Sequence, residues 1–318
     1  MKFKDIYELV VKKGLLKDPR LKRDIKKALQ DVKREYNKLS MRRKKTFDKE
    51  RLKHPYDDTR MLYGNPSQEI KAILVGVDME VGELLLADRL SSKGMNIDLV
   101  MAHHPEGTAL AGFYHVMGMQ ADILKRLGIS YSVGKELLKE RMSEVARSIS
   151  AVNHMRAVDA ARLLDIPYMC AHTPADNHVT DYLQKFLDKN KPKALKNVID
   201  LLETIPEYNE AARRNAAPFI MIGKESDSAG KIVVDMTGGT EGSRRVFPRL
   251  SQAGVNTIVG MHFSEEHFKS AQKEYINIII AGHISSDTLG LNLLLDELCK
   301  KDDFEIIPCS GFVRVKRN

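Results

Sequence analysis

The sequence predicts a layered α/β protein of two lobes, preceded by a basic helical segment. From about residue 61, short apolar runs typical of buried strands alternate with longer amphipathic stretches typical of helices. With 318 residues and 43% hydrophobic content, the chain can bury a substantial core. We therefore expect residues 1–60 to form a helical extension, 61–180 the first lobe, 181–215 a lysine-rich helical connection and 216–318 the second lobe.

The first 60 residues carry the whole basic excess of the chain. They hold 21 Lys and Arg against 10 Asp and Glu, a net charge of +11, whereas the remainder holds 30 against 33. Apolar residues recur at helical spacing on both sides of Pro19, which predicts two amphipathic helices. These helices either pack their apolar stripes on the main domain or bind a polyanion such as nucleic acid through their charge. An aromatic content of 6% with no Trp argues against a base-stacking platform.

The elements of both lobes follow from their patterns. Continuous apolar runs without alternation indicate strands that are buried on both faces, and helical periodicity separates them. In the first lobe we predict strands at 70–77, 97–102 and 168–171, an edge strand at 129–133, and helices at 81–91, 117–127 and 135–164, the last one long or broken. In the second lobe we predict strands at 219–223, 231–236, 257–260, 276–281 and 304–308, and helices at 246–253, 265–275 and 286–300.

Histidines and carboxylates follow several of these strands. His103 and His104 come directly after the strand at 97–102, and His283 follows the strand at 276–281. Side chains at strand ends are the usual place for chemistry in an open α/β sheet. His283 and Asp287 stand four residues apart, so on a helix they share one face and can reach a single ion. Alternatively, Asp287 only complements the helix dipole.

A third strand end adds His172 and Asp176 to this set. Imidazole and carboxylate donors without thiolate suit zinc, iron, manganese, cobalt or nickel. The cysteines at 170, 299 and 309 form no CxxC pair and lie in or beside apolar segments, so we expect buried, reduced thiols. The sequence therefore predicts a metal site built from several parts of the chain.

The motifs in their order resemble the Nif-three-like family, also called domain of unknown function 34 or "GTP cyclohydrolase 1 type 2 homologue". They are His-His-Pro, Ala-His-Thr-x-x-Asp, Thr-Gly-Gly and Gly-His-x-x-x-acid, and the resemblance covers about residues 61–318. It implies two lobes with mixed sheets flanked by helices, a toroidal hexamer, and a dinuclear centre of two divalent ions in the inter-lobe cleft. The implied metal ligands are His103, His104, Asp176, His283 and Asp287, with Asp176 bridging the ions.

One ligand departs from the family pattern. The last acid is usually glutamate, and here it is Asp287, one methylene shorter, so its own bridging role stays open. His172 matches a further histidine near the family's site. His262 and His267 fall in a segment that is polar in relatives, where they either support the ligands and contact substrate or simply open a surface helix.

A glycine-rich loop is a candidate phosphate site. Gly238, Gly239 and Gly242 precede a predicted helix, and Arg244 follows them. Backbone amides of such a loop, with a helix N-terminus and a guanidinium nearby, can hold a phosphate, although a tight turn explains the glycines equally well. The loop lacks the lysine of a Walker A motif, so a nucleoside triphosphatase is not expected.

The function that these features favour is metal-dependent hydrolysis of a phosphate ester, a nucleotide or a purine-type ring, with a small-molecule substrate. Glu106, His115 and Glu265 are candidate general bases by position only. The alternative is a non-enzymatic metal-binding or metal-handling oligomer whose basic arm docks a partner, possibly nucleic acid. No apolar run reaches the roughly 20 residues of a membrane span and no secretory signal opens the chain, so we expect a cytoplasmic protein.

Overall fold

The computed structural model describes residues 1–317, which contain two β-sheets covered by helices. The first sheet has the strand order β1-β4-β3-β2-β9 and the second has the order β5-β8-β7-β6. The strands are β1 (Thr59–Tyr63), β2 (Ala72–Gly76), β3 (Leu99–Ala102), β4 (Tyr168–Ala171), β5 (Phe219–Ile222), β6 (Ile232–Asp235), β7 (Thr257–Gly260), β8 (Asn277–Ile280) and β9 (Glu305–Pro308).

Both sheets are mixed. Strands β2, β3, β4 and β9 are parallel, as are β6, β7 and β8, whereas β1 and β5 pair antiparallel at the edges. The predicted α/β class with mixed sheets flanked by helices is confirmed. The helices are α1 (Phe3–Lys17), α2 (Lys22–Lys38), α3 (Met41–Thr46), α4 (Val81–Ser92), α5 (Gly107–Gly112), α6 (Met119–Arg126), α7 (Tyr131–Ser150), α8 (Arg156–Leu164), α9 (Thr173–Asn190), α10 (Leu195–Glu203), α11 (Pro206–Arg213), α12 (Phe247–Gln252), α13 (Glu265–Lys273) and α14 (His283–Cys299).

Helices α9 and α14 join the two lobes. Helix α9 begins directly after β4 of the first sheet, and α14 begins soon after β8 of the second. The helices pack so closely that a Cβ on Gly290 of α14 would lie 2.6 Å from the carbonyl oxygen of Ala175 in α9. Because both helices start at strand ends, this contact brings their first turns, and the side chains on those turns, to one place.

The N-terminal segment is partly built into the first lobe. Phe3, Ile6 and Val10 of α1 are completely buried in its core, whereas in α2 only Asp24 and Ile25 are buried and the other residues are half-buried or exposed. The two helices predicted around Pro19 are therefore present, and the apolar stripe of the first packs on the main domain. Residues 1–17 belong to the core of this lobe and do not project from it.

Three sequence assignments need correction. The edge strand at 129–133 is wrong, because α7 begins at Tyr131 and buries Gly134 and Leu138 at helical spacing. Strand β1 starts at Thr59, inside the segment assigned to the extension. Strand β9 pairs with β2 of the first sheet, so the last part of residues 216–318 belongs to the first lobe. Short apolar alternation does not separate a strand from the start of a helix, and strand pairing depends on distant partners.

His54 lies in a buried polar network beneath α1. Its Nδ1 accepts a hydrogen bond from the backbone N–H of Tyr56 at 3.2 Å, so the neutral ring carries its proton on Nε2, 2.7 Å from the Tyr7 hydroxyl. Burial, assisted by the nearby Arg60 guanidinium, lowers the pKa of His54 to about 4. The folded protein thus holds this imidazole neutral at pH values where an unfolded chain protonates it.

We expect this histidine to make the protein less stable in mild acid. The unfolded imidazole has a pKa of about 6.5, so between that pH and about 4 the unfolded state binds the extra proton. The lowered pKa of His54 contributes about 3 kcal/mol to the free energy of unfolding. This contribution is complete above pH 6.5 and is lost as the pH falls toward 4. Urea unfolding of the chelated protein from pH 7.5 to 4.5 should show a smaller loss of stability for His54→Gln than for wild type. Equal pH dependence in both proteins would contradict the assignment.

Candidate metal centre

Six of the predicted site residues converge where the two lobes meet. They form three overlapping groups, and within each group one ligand atom from every residue lies within 4.8 Å of the others. Two of these side chains follow β3, two lie at the start of α9 and two lie in the first turns of α14. The six are His103, His104, His172, Asp176, His283 and Asp287.

The backbone bends at the two adjacent histidines. The N–H groups of His103 and His104 both donate to the carbonyl of Val77, just beyond β2, at 3.2 and 3.0 Å. In a regular strand neighbouring side chains point to opposite faces, but here the two rings lie with their centroids 5.3 Å apart. Pro105, which has no N–H to donate, suits this end of the strand. Both imidazoles therefore serve the same site.

His103 is completely buried at the centre of the cluster. Its Nδ1 lies 3.3 Å from the carbonyl oxygen of Ala171, to which it donates, and this leaves Nε2 as the free donor atom. That Nε2 lies 3.4 Å from an oxygen of Asp176 and 3.3 Å from an oxygen of Asp287. Within the described residues Nε2 has no hydrogen-bond partner.

Asp287 presents its two oxygens to different histidines. Oδ1 faces His103, whereas Oδ2 lies 3.5 Å from Nε2 of His104 and 3.4 Å from Nε2 of His283. The residue is 1% exposed, and neither oxygen has a hydrogen-bond partner among residues 1–317. A carboxylate buried without partners is costly unless a cation or a donor neutralises it.

Two carboxylates outside the cluster orient its imidazoles. Nδ1 of His104 donates to Asp78 at 2.6 Å, and Nδ1 of His172 donates to the fully buried Asp58 at 2.9 Å. In each ring this leaves Nε2 for the site, which is the usual arrangement around protein metal ions. Neither acid was predicted from the sequence. Asp78 follows the end of β2, so the strand-end signal that found the histidines could also have found it; Asp58 has no such local signal.

The charges of the cluster depend strongly on one another. Burial alone would raise the pKa of Asp287, but His103, His104 and His283 outweigh burial and hold it far below its usual range. Burial would lower the pKa of His103, yet Asp287 and Asp176 raise it well above the ordinary value. The carboxylates of Asp176 and Asp287 therefore need positive charge close by, which protons on the imidazoles or a divalent cation can supply.

The donor set fits a divalent metal ion. The unpartnered atoms are Nε2 of His103, Oδ1 of Asp176 and both oxygens of Asp287, and they converge. Their separations of 3.3 to 3.4 Å match the roughly 3.0 to 3.4 Å between neighbouring ligands that metal–ligand bonds of about 2.1 Å produce. The site therefore has the residues, the burial and the spacing for a metal, as the sequence predicts.

The cluster opens into a cavity that extends into the second lobe. His172, Asp176, His283 and Asp287 line its metal end, and His262, His267 and Glu241 line its side. His262 donates from Nδ1 to Glu241 at 3.1 Å, and its ring centroid lies 4.8 Å from that of His283. His267 donates from Nε2 to the Gly242 carbonyl at 2.9 Å, while its Nδ1 lies 3.1 Å from Glu241. Glu241, which was not predicted from the sequence, thus accepts a hydrogen bond from His262 and lies beside His267.

The glycine-rich loop forms part of the cavity wall. Gly238 and Gly239 have φ values of 98° and 90°, and the loop packs on Gln120, whose amide donates to the Gly238 carbonyl. Gly239 and Gly242 line the cavity. Arg244 is not among the lining residues and pairs instead with Glu266. The backbone of the loop, but not its arginine, therefore faces the space next to the metal ligands.

The candidate bases lie outside the lining of the cavity. Burial, with Glu80 nearby, raises the pKa of Glu106 to about 7, and this residue is next to the site in sequence. His115 lies 3.1 Å from Asp57, and the exposed Glu265 pairs with Lys269 at 3.1 Å. Of the histidines and acids away from the cluster, His262 is the one that lies in the cavity and contacts a predicted ligand.

Solved structures share this architecture. A NIF3 superfamily protein from Sphaerobacter thermophilus is 25% identical, with 80% of this chain and 91% of that chain covered at a TM-score of 0.69. Reduced HcgD from Methanocaldococcus jannaschii is 15% identical, with 78% and 87% covered at a TM-score of 0.50, and it shares the fold. No family model and no curated protein sequence matches the chain.

The fold and the site together define a two-lobed α/β protein with a histidine and aspartate cluster that could bind metal where its lobes meet. The motifs of the sequence and the likeness to the Sphaerobacter protein agree on the family. The fold is that of the NIF3 superfamily, and this likeness supports the Nif-three-like family that the sequence motifs resemble. In residues 1–317, no helix has both the length and the apolar character that crossing a membrane would require.

Proposed function

We propose that this protein is a metal-dependent hydrolase with two divalent ions, acting on a phosphate ester, a nucleotide or a purine-type ring. The observation that carries the proposal is the placement of Asp287, whose two unpartnered oxygens face different sets of imidazoles. A carboxylate can bridge two ions in this way. The ions would be zinc, iron, manganese, cobalt or nickel.

The distances favour a particular division of the ligands. One ion would be held by His103 and Asp176, the other by His104 and His283, with Asp287 between them and His172 within reach of both His103 and His104. The sequence resemblance assigns bridging to Asp176. Oδ1 of Asp176, however, lies 3.4 Å from Nε2 of His103, and within the described residues Asp176 shares a ligand group with His103 and Asp287 but not with His104 or His283. The geometry therefore supports Asp287 as the bridge.

When bound, the ions would supply Lewis acidity, lowering the pKa of water and stabilising charge on substrate oxygens. The chain would supply proton transfer through His262, because Glu241 engages Nδ1 and leaves Nε2 free near His283. Gly239 and Gly242 offer backbone groups to a phosphate on the cavity wall.

We expect hydrolysis to require both the metal and its ligands. Protein loaded with each metal in turn would be assayed against phosphate esters, nucleotides and cyclic amides, beside His103→Ala and Asp176→Ala. The two variants should lose at least about 100-fold in turnover while circular dichroism shows an intact fold. Asp188→Ala, on the exposed part of the same helix as Asp176, is the matched control and should retain full activity.

The outcomes separate the proposal from its alternative. Wild-type protein that binds two ions and turns over none of these substrates would favour a non-enzymatic, metal-handling role. Wild-type protein that takes up none of the five metals would contradict both roles. The hexameric ring and the binding of nucleic acid by residues 1–60 stay predictions, which size-exclusion chromatography with light scattering and salt-dependent binding assays would test.

A further inference from the structure

An unpaired carboxylate stands in the cavity beyond the metal cluster. Asp235 is the last residue of β6, and it lines the same cavity as Asp176, His283 and Asp287. The remaining wall on its side is apolar, formed by residues of the second lobe and of α6. They include Ile123, Leu124, Val233, Phe247, Leu250 and Phe263.

No group of the described chain satisfies this carboxylate. Within residues 1–317, the Asp235 side chain makes neither a hydrogen bond nor an ion pair. The ionisable groups that influence its pKa are His267 and Glu241, and these two lie 3.1 Å from each other. The side chain stays accessible, and dense protein around it raises its pKa to about 6 through desolvation.

The surroundings limit what this group can bind. An ionised carboxylate accepts hydrogen bonds and donates none, and its two oxygens match planar groups that present two adjacent N–H donors. Amidinium, guanidinium and the edge of a 2-amino nitrogen heterocycle have this pattern. The flat faces of such groups suit the apolar wall formed by Phe247, Leu250 and their neighbours. A ligand with a carboxylate or a bare acceptor edge would be repelled.

We propose that Asp235 recognises a planar, nitrogen-rich part of the substrate that presents two adjacent N–H donors. That this planar group belongs to a substrate, whose scissile bond would face the metal cluster, rests on the proposed hydrolase function. Binding of the planar group itself needs neither the metal nor turnover. Asp235 is thus a specificity-determining residue, separate in sequence from every predicted metal ligand.

The test uses benzamidine as a cationic probe and benzamide as its neutral counterpart, measured by isothermal titration calorimetry on the full chain at pH 7.5. Wild type should bind benzamidine, and Asp235→Asn should weaken that binding at least about tenfold, the loss expected when a charge-assisted pair is removed. The preference should shift toward benzamide in Asp235→Asn, because the amide side chain both donates and accepts. The exposed Asp200→Asn, in α10 of the same lobe, is the matched control and should bind as wild type does.

Two results would overturn the proposal: no benzamidine binding by wild type at millimolar concentration, or equal binding by wild type and Asp235→Asn. Thermal unfolding checks that the variant is folded, and Asp235→Glu, which keeps the charge, should retain part of the binding. Elemental analysis distinguishes this inference from the hydrolase proposal, because Asp235→Asn should keep the wild-type metal content. Asp235-dependent binding in a protein without turnover supports the recognition site and counts against the hydrolase alone.

Discussion

In the proposed dinuclear centre, Asp287→Asn should remove both metal ions, whereas His283→Ala should remove only one. Asn has nearly the same shape as Asp, but it is neutral and replaces one of the two oxygens with an NH₂ group that cannot ligate. Because the two oxygens of Asp287 face His103 on one side and His104 with His283 on the other, each ion would lose a ligand and its charge. His283 lies at the edge of the cluster, with its side chain 40% exposed, and faces one side only.

Elemental analysis of the purified proteins after reconstitution measures this difference directly. Glu297→Gln, on the same helix but engaged with Lys13 and Lys300 at the surface, is the matched control and should keep the wild-type content. Circular dichroism would show whether each variant is folded. If His283→Ala loses every ion, or if Asp287→Asn keeps one at full occupancy, then Asp287 does not bridge.

Gly290→Ala should destabilise the protein, although alanine favours a helix by about 1 kcal/mol over glycine. The added Cβ would lie 2.6 Å from the Ala175 carbonyl oxygen, which is backbone and has little freedom to move. Helices α9 and α14 would therefore have to separate. We expect the free energy of unfolding to fall by about 1 to 3 kcal/mol, as for other overpacked contacts. Asp176 and Asp287 would move apart with the helices, so metal affinity should fall as well.

Gly134→Ala is the matched control for this prediction. Gly134 also lies within a helix, but a Cβ there would have its nearest neighbour, the Cα of Ala121, at 3.5 Å, an ordinary contact. This variant should be as stable as wild type or more stable, by up to about 1 kcal/mol. Urea unfolding of the chelated proteins gives the stabilities, and titration with zinc gives the affinities. If Gly290→Ala matches Gly134→Ala in stability and in zinc affinity, then the close contact between α9 and α14 determines neither quantity.

Most of the metal cluster was predictable because its residues follow local signals. His103, His104 and His283 come after continuous apolar runs, and the spacing of His283 and Asp287 places them on one helix face. Because the ends of parallel strands meet at one edge of a sheet, residues far apart in sequence could be predicted to lie close together. The family motifs then ordered these signals into a single site.

The rest of the site depends on contacts between residues that are far apart in the sequence, which no local sequence pattern indicates. Asp58 contacts His172 across 114 positions of sequence, and Glu241 of the glycine-rich loop contacts His262 and, in α13, His267. Asp235 looks like an ordinary polar residue at the end of a strand, and only the three-dimensional structure shows that it lines the same cavity as the cluster, which also has an apolar wall. The bridging role assigned to Asp176 also came from the motif pattern, which carries no distances.

The pairing of β9 with β2 has a consequence for the order in which the protein folds during synthesis. The first sheet receives this strand only after the entire second sheet has been made, and its core also needs Leu291 and Leu295 of α14. The second sheet uses neighbouring parts of the chain, from β5 to β8. On the ribosome, the second sheet should therefore be complete first. Strands β1 to β4, although made earlier, keep part of their apolar surface exposed until α14 and β9 emerge from the ribosome.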